Sequence, residues 1–252
     1  MYGDFLRIIS LVLACVAAIV SSASAADRPA VEQLREEMWA LMTPLPMFAY
    51  VVRPVGGGPY PLLVMNHGIS GDPEQRSFFP LVEYRGAAHW FARRGYFVVS
   101  PVRYGGISID RPEEGLFSLY LASVGNCDQP NFRWPGLMIA TLDQWVIDFM
   151  QKEATVAAGK AIVVGQSGGG WGAIALSSLN PSSVRAIITF AAGRGGRVAG
   201  KPNNNCAPDK LVEATRNFGK TSRIPMLWIY SEQRAGMRSS KCSRRLEATA
   251  TS

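Results

Sequence analysis

Ala161-Ile162-Val163-Val164-Gly165-Gln166-Ser167-Gly168-Gly169-Gly170-Trp171 is the stretch on which the reading of this chain turns. Four apolar residues bounded by turn formers have the pattern of a strand buried on both faces. A helix is expected over 171–179, directly behind it. The serine between them, with Gly165, Gly168 and Gly169 around it, has to occupy a sharp strand-to-helix turn. Bare Cα positions there let strand and helix approach without Cβ clashes. The start of the following helix favours developing negative charge. A G-x-S-x-G pentapeptide alone is common by chance, but the strand–turn–helix context makes Ser167 a candidate nucleophile.

Outward from this turn, strand and helix alternate. Strands are expected at 47–53, 61–66, 96–100, 184–190 and 226–230, and helices at 28–42, 80–94, 137–152 and 209–218. The first of these helices rests on Val31, Leu34, Met38 and Leu41 at helical spacing, and Gly95 is expected to end the second as a left-handed cap. All-apolar strands joined by helical crossovers imply an α/β fold, a mostly parallel central sheet with helices on both faces. Residues 103–135 form a long connection, expected to wall a site. No internal repeat is present.

Asn66-His67-Gly68-Ile69-Ser70-Gly71 follows directly on the apolar run 61–66. Acyl transfer requires two backbone N–H groups aimed at one oxyanion. The expected pair is Gly168, just after the serine, and Ile69, in the loop after the earlier strand. His67 and Gly68 are expected to support that loop, as Gly165 and Gly169 support the turn. His89 falls within the helix at 80–94 and reads as a surface or packing residue.

These residues resemble the α/β-hydrolase superfamily, and within it a dienelactone-hydrolase-like group of exported proteins. The resemblance runs from Met47 to Glu232 and rests on the 67–71 loop, on 165–173 and on Pro225-Met226-Leu227-Trp228-Ile229-Tyr230-Ser231-Glu232. It implies hydrolysis of small-molecule carboxylic esters or lactones by a Ser/Cys–His–Asp triad, without metal or cofactor. Serine at 167, in place of the cysteine of dienelactone hydrolases proper, points to general esterase chemistry.

The resemblance also implies a triad acid after the strand at 226–230 and a histidine later still. Glu232 is the carboxylate at the acid position. The two histidines of the chain are His67 and His89, both before Ser167. Without a base that titrates near neutrality, a serine hydroxyl is a poor nucleophile. Residues 233–252 lack apolar periodicity and are rich in Arg and Ser. They read either as the product of a lost reading frame, with the C-terminal strand and helix missing, or as the irregular tail of a short variant. Weak turnover, a ligand-binding role without catalysis, and acyl transfer on the same serine all stay open here.

Composition frames these readings. With 48% hydrophobic and 18% charged residues in 252, the chain is that of a globular protein. Residues 1–26 read as a signal peptide: Arg7, an apolar run broken by Ser10, then Ala23-Ser24-Ala25 for cleavage. A lipid anchor at Cys15 is the alternative, and the apolar run is too short for a membrane span. The hydrolase domain is then 27–232, in the periplasm or outside the cell. In that oxidising setting Cys127 and Cys206, both in loops, are the first choice for a disulfide. No Cys/His cluster speaks for zinc. The net charge of +7 is concentrated in the tail and shows no basic stripe, which argues against nucleic acid.

Overall fold

The computed structural model describes residues 32–68, 84–103, 127–194, 206–231 and 242–243. The expected signal peptide, Ile69, Glu232 and all of the tail except Cys242 and Ser243 lie outside these residues.

Eight strands form one sheet in the order β1-β2-β4-β3-β5-β6-β7-β8. β1 (Leu34–Leu41) and β2 (Met47–Pro54) are antiparallel, and β2 pairs antiparallel with β4 (Phe97–Pro101). From β4 through β3 (Leu62–Asn66), β5 (Ala161–Gln166), β6 (Val184–Phe190) and β7 (Met226–Ser231) every pairing is parallel. The helices are α1 (Arg85–Ala92), α2 (Arg133–Met150), α3 (Gly168–Leu179) and α4 (Pro208–Gly219). The fold is that of an α/β protein with a mostly parallel sheet, as the alternating pattern implies.

Period-two alternation sends each central strand into two cores. Leu62, Val64, Phe97, Val99, Ala161 and Val163 pack on the side of α2 and α3. Leu63, Met65, Val98 and Val164 pack with Ala88 and Ala92 of α1 on the other. Residues 168–177 of α3 are all buried, so this helix has no polar face to show. Gly172 and Gly136 make that possible, since a Cβ at either would run into Ile139 or Trp171.

One expectation is corrected. The helix at 28–42 is replaced by strand β1, paired residue for residue with β2 from Leu34↔Pro54 to Leu41↔Met47. Leu34, Met38 and Leu41 mimic helical spacing, but the working signal is Trp39 and Leu41, two apart and facing the same core. An edge strand is half exposed, so its alternation is incomplete, and hydrogen bonding to β2 decides the matter. Other boundaries shift modestly: α2 starts at Arg133 rather than 137, and α3 at Gly168 rather than 171. Gly95 takes φ 81° in the turn after α1. In the tail, Cys242–Ser243 form β8, pairing antiparallel with β7. They occupy hydrogen-bonding groups that the edge of β7 would otherwise leave open.

Cys127 and Cys206 are bonded, with Cα atoms 5.1 Å apart. The bridge ties the approach to α2 to the start of α4. Among the described residues no helix is long and apolar enough to cross a membrane.

Candidate functional site

Strand order reverses beside β3: the chain leaves β3 for β4 on one side and returns to β5 on the other. The carboxyl ends of β3 and β5 therefore lie at the switch point of the sheet, the usual ligand position of an open α/β sheet. Asn66 pairs with Gly165 in register across it. His67 and Gly68 continue from β3, and Ser167 follows β5.

Ser167 has φ 50° and ψ −118°, outside the regions that serine ordinarily occupies. Such a conformation costs about 1–3 kcal/mol and persists only where its surroundings impose it. Here they do. The Ser167 N–H donates to the Phe190 carbonyl at 2.9 Å, and its own carbonyl accepts from Trp171 N–H at 3.0 Å and Gly193 N–H at 3.2 Å. Gly165 lies so close to the next turn that a Cβ would stand 2.6 Å from the Gly169 carbonyl oxygen. The side chain is half-buried, and among the described residues its hydroxyl has no hydrogen-bond partner. No side chain caps α3, which leaves the first-turn amides, Gly168 included, able to receive an anion.

The loop after β3 abuts this turn. A Cβ on Gly68 would lie 3.2 Å from Ser167 Cβ and collide with the Gln166 amide. The Gly68 N–H donates to the Tyr84 hydroxyl at 3.1 Å, which in turn donates to Gln166 Oε1 at 3.2 Å. Tyr84 and Gln166 thus join the two halves of the site, a role not visible in the motifs.

His67 is buried at the end of β3 and engaged at both ring nitrogens. Its Nε2 accepts from the Arg103 backbone N–H at 3.1 Å, so the ring proton is on Nδ1, which donates to the Gly68 carbonyl at 2.6 Å. Burial, with the Arg103 charge adding to it, pushes its pKa down to about 3. A neutral ring with both nitrogens engaged has no lone pair for the Ser167 proton. His89 also serves elsewhere: its Nε2 is 3.0 Å from Glu36 Oε1, beside Arg85. That cluster fastens α1 to β1.

A buried polar network underlies the loop. Arg103 donates from Nη1 to Asn66 Oδ1 at 3.0 Å and from Nη2 to the His67 carbonyl. Asn66 Nδ2 donates to Asp143 Oδ2 at 2.7 Å, while Asp143 Oδ1 has no partner among the described residues. Burial raises the Asp143 carboxyl to about 7 against the opposing pull of Arg103, and lowers Arg103 to about 10. Arg194, two positions beyond Ala192, is 7% exposed, and its Nε and Nη2 have no partner among the described residues. Asp143 is the polar member of an otherwise apolar helix face, and Asn66 ends an otherwise apolar strand. Those were the available signals for a network that the motifs do not contain.

A separate cleft of about 400 Å³ lies between residues 128–133 and α4, walled in part by Arg133, Lys210, Glu213 and Phe218. Ser167 does not line it. Among the described residues no group of three His, Cys, Asp or Glu could hold a metal ion.

A candidate dienelactone hydrolase from Klebsiella pneumoniae superposes with a TM-score of 0.50 at 16% identity, over 79% of this chain and 85% of that one. The fold is the α/β-hydrolase fold. The Pyrococcus horikoshii acylaminoacyl peptidase gives 0.53 at 14% identity, over 80% of this chain. Dipeptidyl peptidase 4 of Porphyromonas gingivalis gives 0.54 at 14%, over 77%. This chain spans only 32% and 27% of those two peptidases. No protein-family model and no curated protein matches the sequence.

Proposed function

We propose that this chain is an exported serine hydrolase of small-molecule carboxylic esters or lactones, and that these 252 residues turn substrate over weakly. The observation that carries the reading is Ser167, held at φ 50° at the head of an uncapped helix and abutted by Gly68 from β3. That is the geometry of a nucleophile elbow. Ser167 Oγ attacks the carbonyl carbon, and the oxyanion is received by the N–H groups of Gly168 and Ile69. Glu232, first after β7, takes the acid position. Weak turnover follows from the histidines: His67 is engaged at both nitrogens and His89 faces Glu36. Without a histidine base at Ser167 in these residues, the remaining machinery typically gives about 10³–10⁴ over water. The residue pattern of 1–26 and the Cys127–Cys206 bond support export to an oxidising compartment.

The test is an organophosphonate serine probe applied to the folded chain, with labels mapped by mass spectrometry. Slow labelling confined to Ser167 and absent from Ser167→Ala is the expected result. Rapid stoichiometric labelling would show that a base serves Ser167 and would overturn the weak-turnover reading. A folded but unlabelled chain would end the hydrolase reading and leave a ligand-binding protein on the same scaffold.

A further inference from the structure

The Asn66–Arg103–Asp143 network does more than fill space beneath the site. We propose that Asp143 is a positioning residue for the end of β3, acting through Asn66 and Arg103 so that its ionisation state is transmitted to the Gly68 amide. The inference rests on the hydrolase reading only for its catalytic consequence.

The connection is continuous and direct. Asp143 Oδ2 receives Asn66 Nδ2, Asn66 Oδ1 receives Arg103 Nη1, and Arg103 Nη2 reaches the His67 carbonyl, which belongs to the peptide bond whose N–H is that of Gly68. The Arg103 backbone N–H additionally fixes the His67 ring. A carboxylate on α2 thereby governs a guanidinium that grips the strand end touching Ser167.

Ionisation changes what this chain can hold together. The charged carboxylate accepts from Asn66, which orients the Asn66 oxygen toward Arg103. A protonated carboxyl either places its proton on Oδ1, which has no partner, or on Oδ2. In the second case Asn66 must flip to accept it, turning its NH₂ toward the Arg103 donors. Either way Arg103 loses its counter-charge, and in the second it loses a hydrogen bond as well.

The charged or titratable groups facing Asp143 are few. Among the described residues Arg103 after β4 acts on Asp143 directly, and His67 after β3, Tyr84 before α1 and Arg194 after β6 act on Arg103 in turn. Burial holds the imidazole of His67 down to about 3 and the two guanidiniums at about 10, while Tyr84 is raised above its ordinary 10.0. Between pH 5 and 9 Asp143 is the member of this set that titrates.

The experiment is NMR on the full chain, labelled with ¹⁵N and ¹³C, from pH 5 to 9. It follows the Gly68 amide, the His67 ring nitrogens and the Asp143 carboxyl carbon. In the wild type the Gly68 amide should move with one inflection that coincides with the Asp143 carboxyl titration. In Asp143→Asn the Gly68 inflection should vanish, and in Asp143→Glu it should return. A carboxylate with a merely structural role would change stability but leave the Gly68 resonance flat with pH. A flat wild-type Gly68 profile, or an inflection that survives in Asp143→Asn, overturns the proposal. If Asp143→Asn fails to fold, coincidence of the two wild-type titrations still decides it. Phosphonate labelling of Ser167 over the same pH range separates the two readings. An inflecting Gly68 with an unlabelled Ser167 upholds the positioning role and removes the hydrolase.

Discussion

Gly169→Ala puts the tightest backbone approach of the site under test. A Cβ at 169 would stand 2.5 Å from the His67 carbonyl oxygen and 2.6 Å from that of Asn66. Ordinary contact begins near 3.4 Å, so the end of β3 would have to retreat by about 0.9 Å. It has little freedom to do so, because β3 is paired on both sides and its end is gripped by Arg103. Overpacking of this kind costs about 1–3 kcal/mol. Alanine returns about 0.4–1 kcal/mol by narrowing the unfolded ensemble. The expected net loss is therefore about 1–2 kcal/mol. Gly219→Ala is the control: it closes α4, and nothing lies within 4 Å of its would-be Cβ. It should gain the entropic part alone. The two variants should differ by about 2 kcal/mol, which at a urea slope near 3 kcal/mol/M separates their midpoints by about 0.7 M. Gly169→Ala should also slow phosphonate labelling of Ser167, since the strand that retreats carries Gly68, which abuts Ser167. Equal midpoints for the two variants would refute the close approach of β3 to the elbow and the site built on it.

Two further predictions concern the buried charges. Arg103→Met strands Asp143, Asn66 Oδ1 and the His67 carbonyl together, and should cost about 3–5 kcal/mol in urea unfolding; Arg194→Met removes a buried guanidinium without a partner at Nε or Nη2, and should be neutral or stabilising. Comparable losses for both would mean that Arg194 has an anionic partner. Asp143 also predicts a pH slope in stability. Its folded pKa, about 7, is above the ordinary 3.8, so between these values the folded state holds a proton that the unfolded chain releases. Stability should fall as pH rises from about 4 to 7 and then level off, and Asp143→Asn should lack that fall. Glu36 acts oppositely and outside this window. Its carboxyl, lowered to about 2 chiefly by Arg85 and Tyr50, adds stability above its ordinary 4.5 that is lost only in stronger acid. Urea midpoints from pH 4.5 to 8 measure the slope, and parallel wild-type and Asp143→Asn curves would refute it.

The central strands and the elbow were legible because their causes are local. β5, the glycine-flanked turn at Ser167 and α3 occupy one continuous stretch, where apolar runs and bare Cα positions directly restrict the backbone. β6 lies at 184–190 as read. The edge was less legible. β1 carries apolar residues at a spacing that suits a helix equally well, and only pairing with β2 selects the strand. The pairing of Cys127 with Cys206 could be singled out from loop position. The membership of His67 in the loop could be read from the motif as well.

What His67 does chemically was decided elsewhere. The Arg103 N–H, 36 residues on, fixes its tautomer, and burial removes its basicity. The Asn66–Asp143 bond spans 77 residues, and that from Arg103 to Asn66 spans 37. Tyr84 and Gln166, 82 apart, meet over Gly68. Sequence alone determined where the sharp strand-to-helix turn at Ser167 stands, because a turn is made by neighbours. Which buried groups hold charge, and which amide each presents, was set by tertiary contact, because a pKa and a hydrogen bond depend on whatever chain is packed alongside.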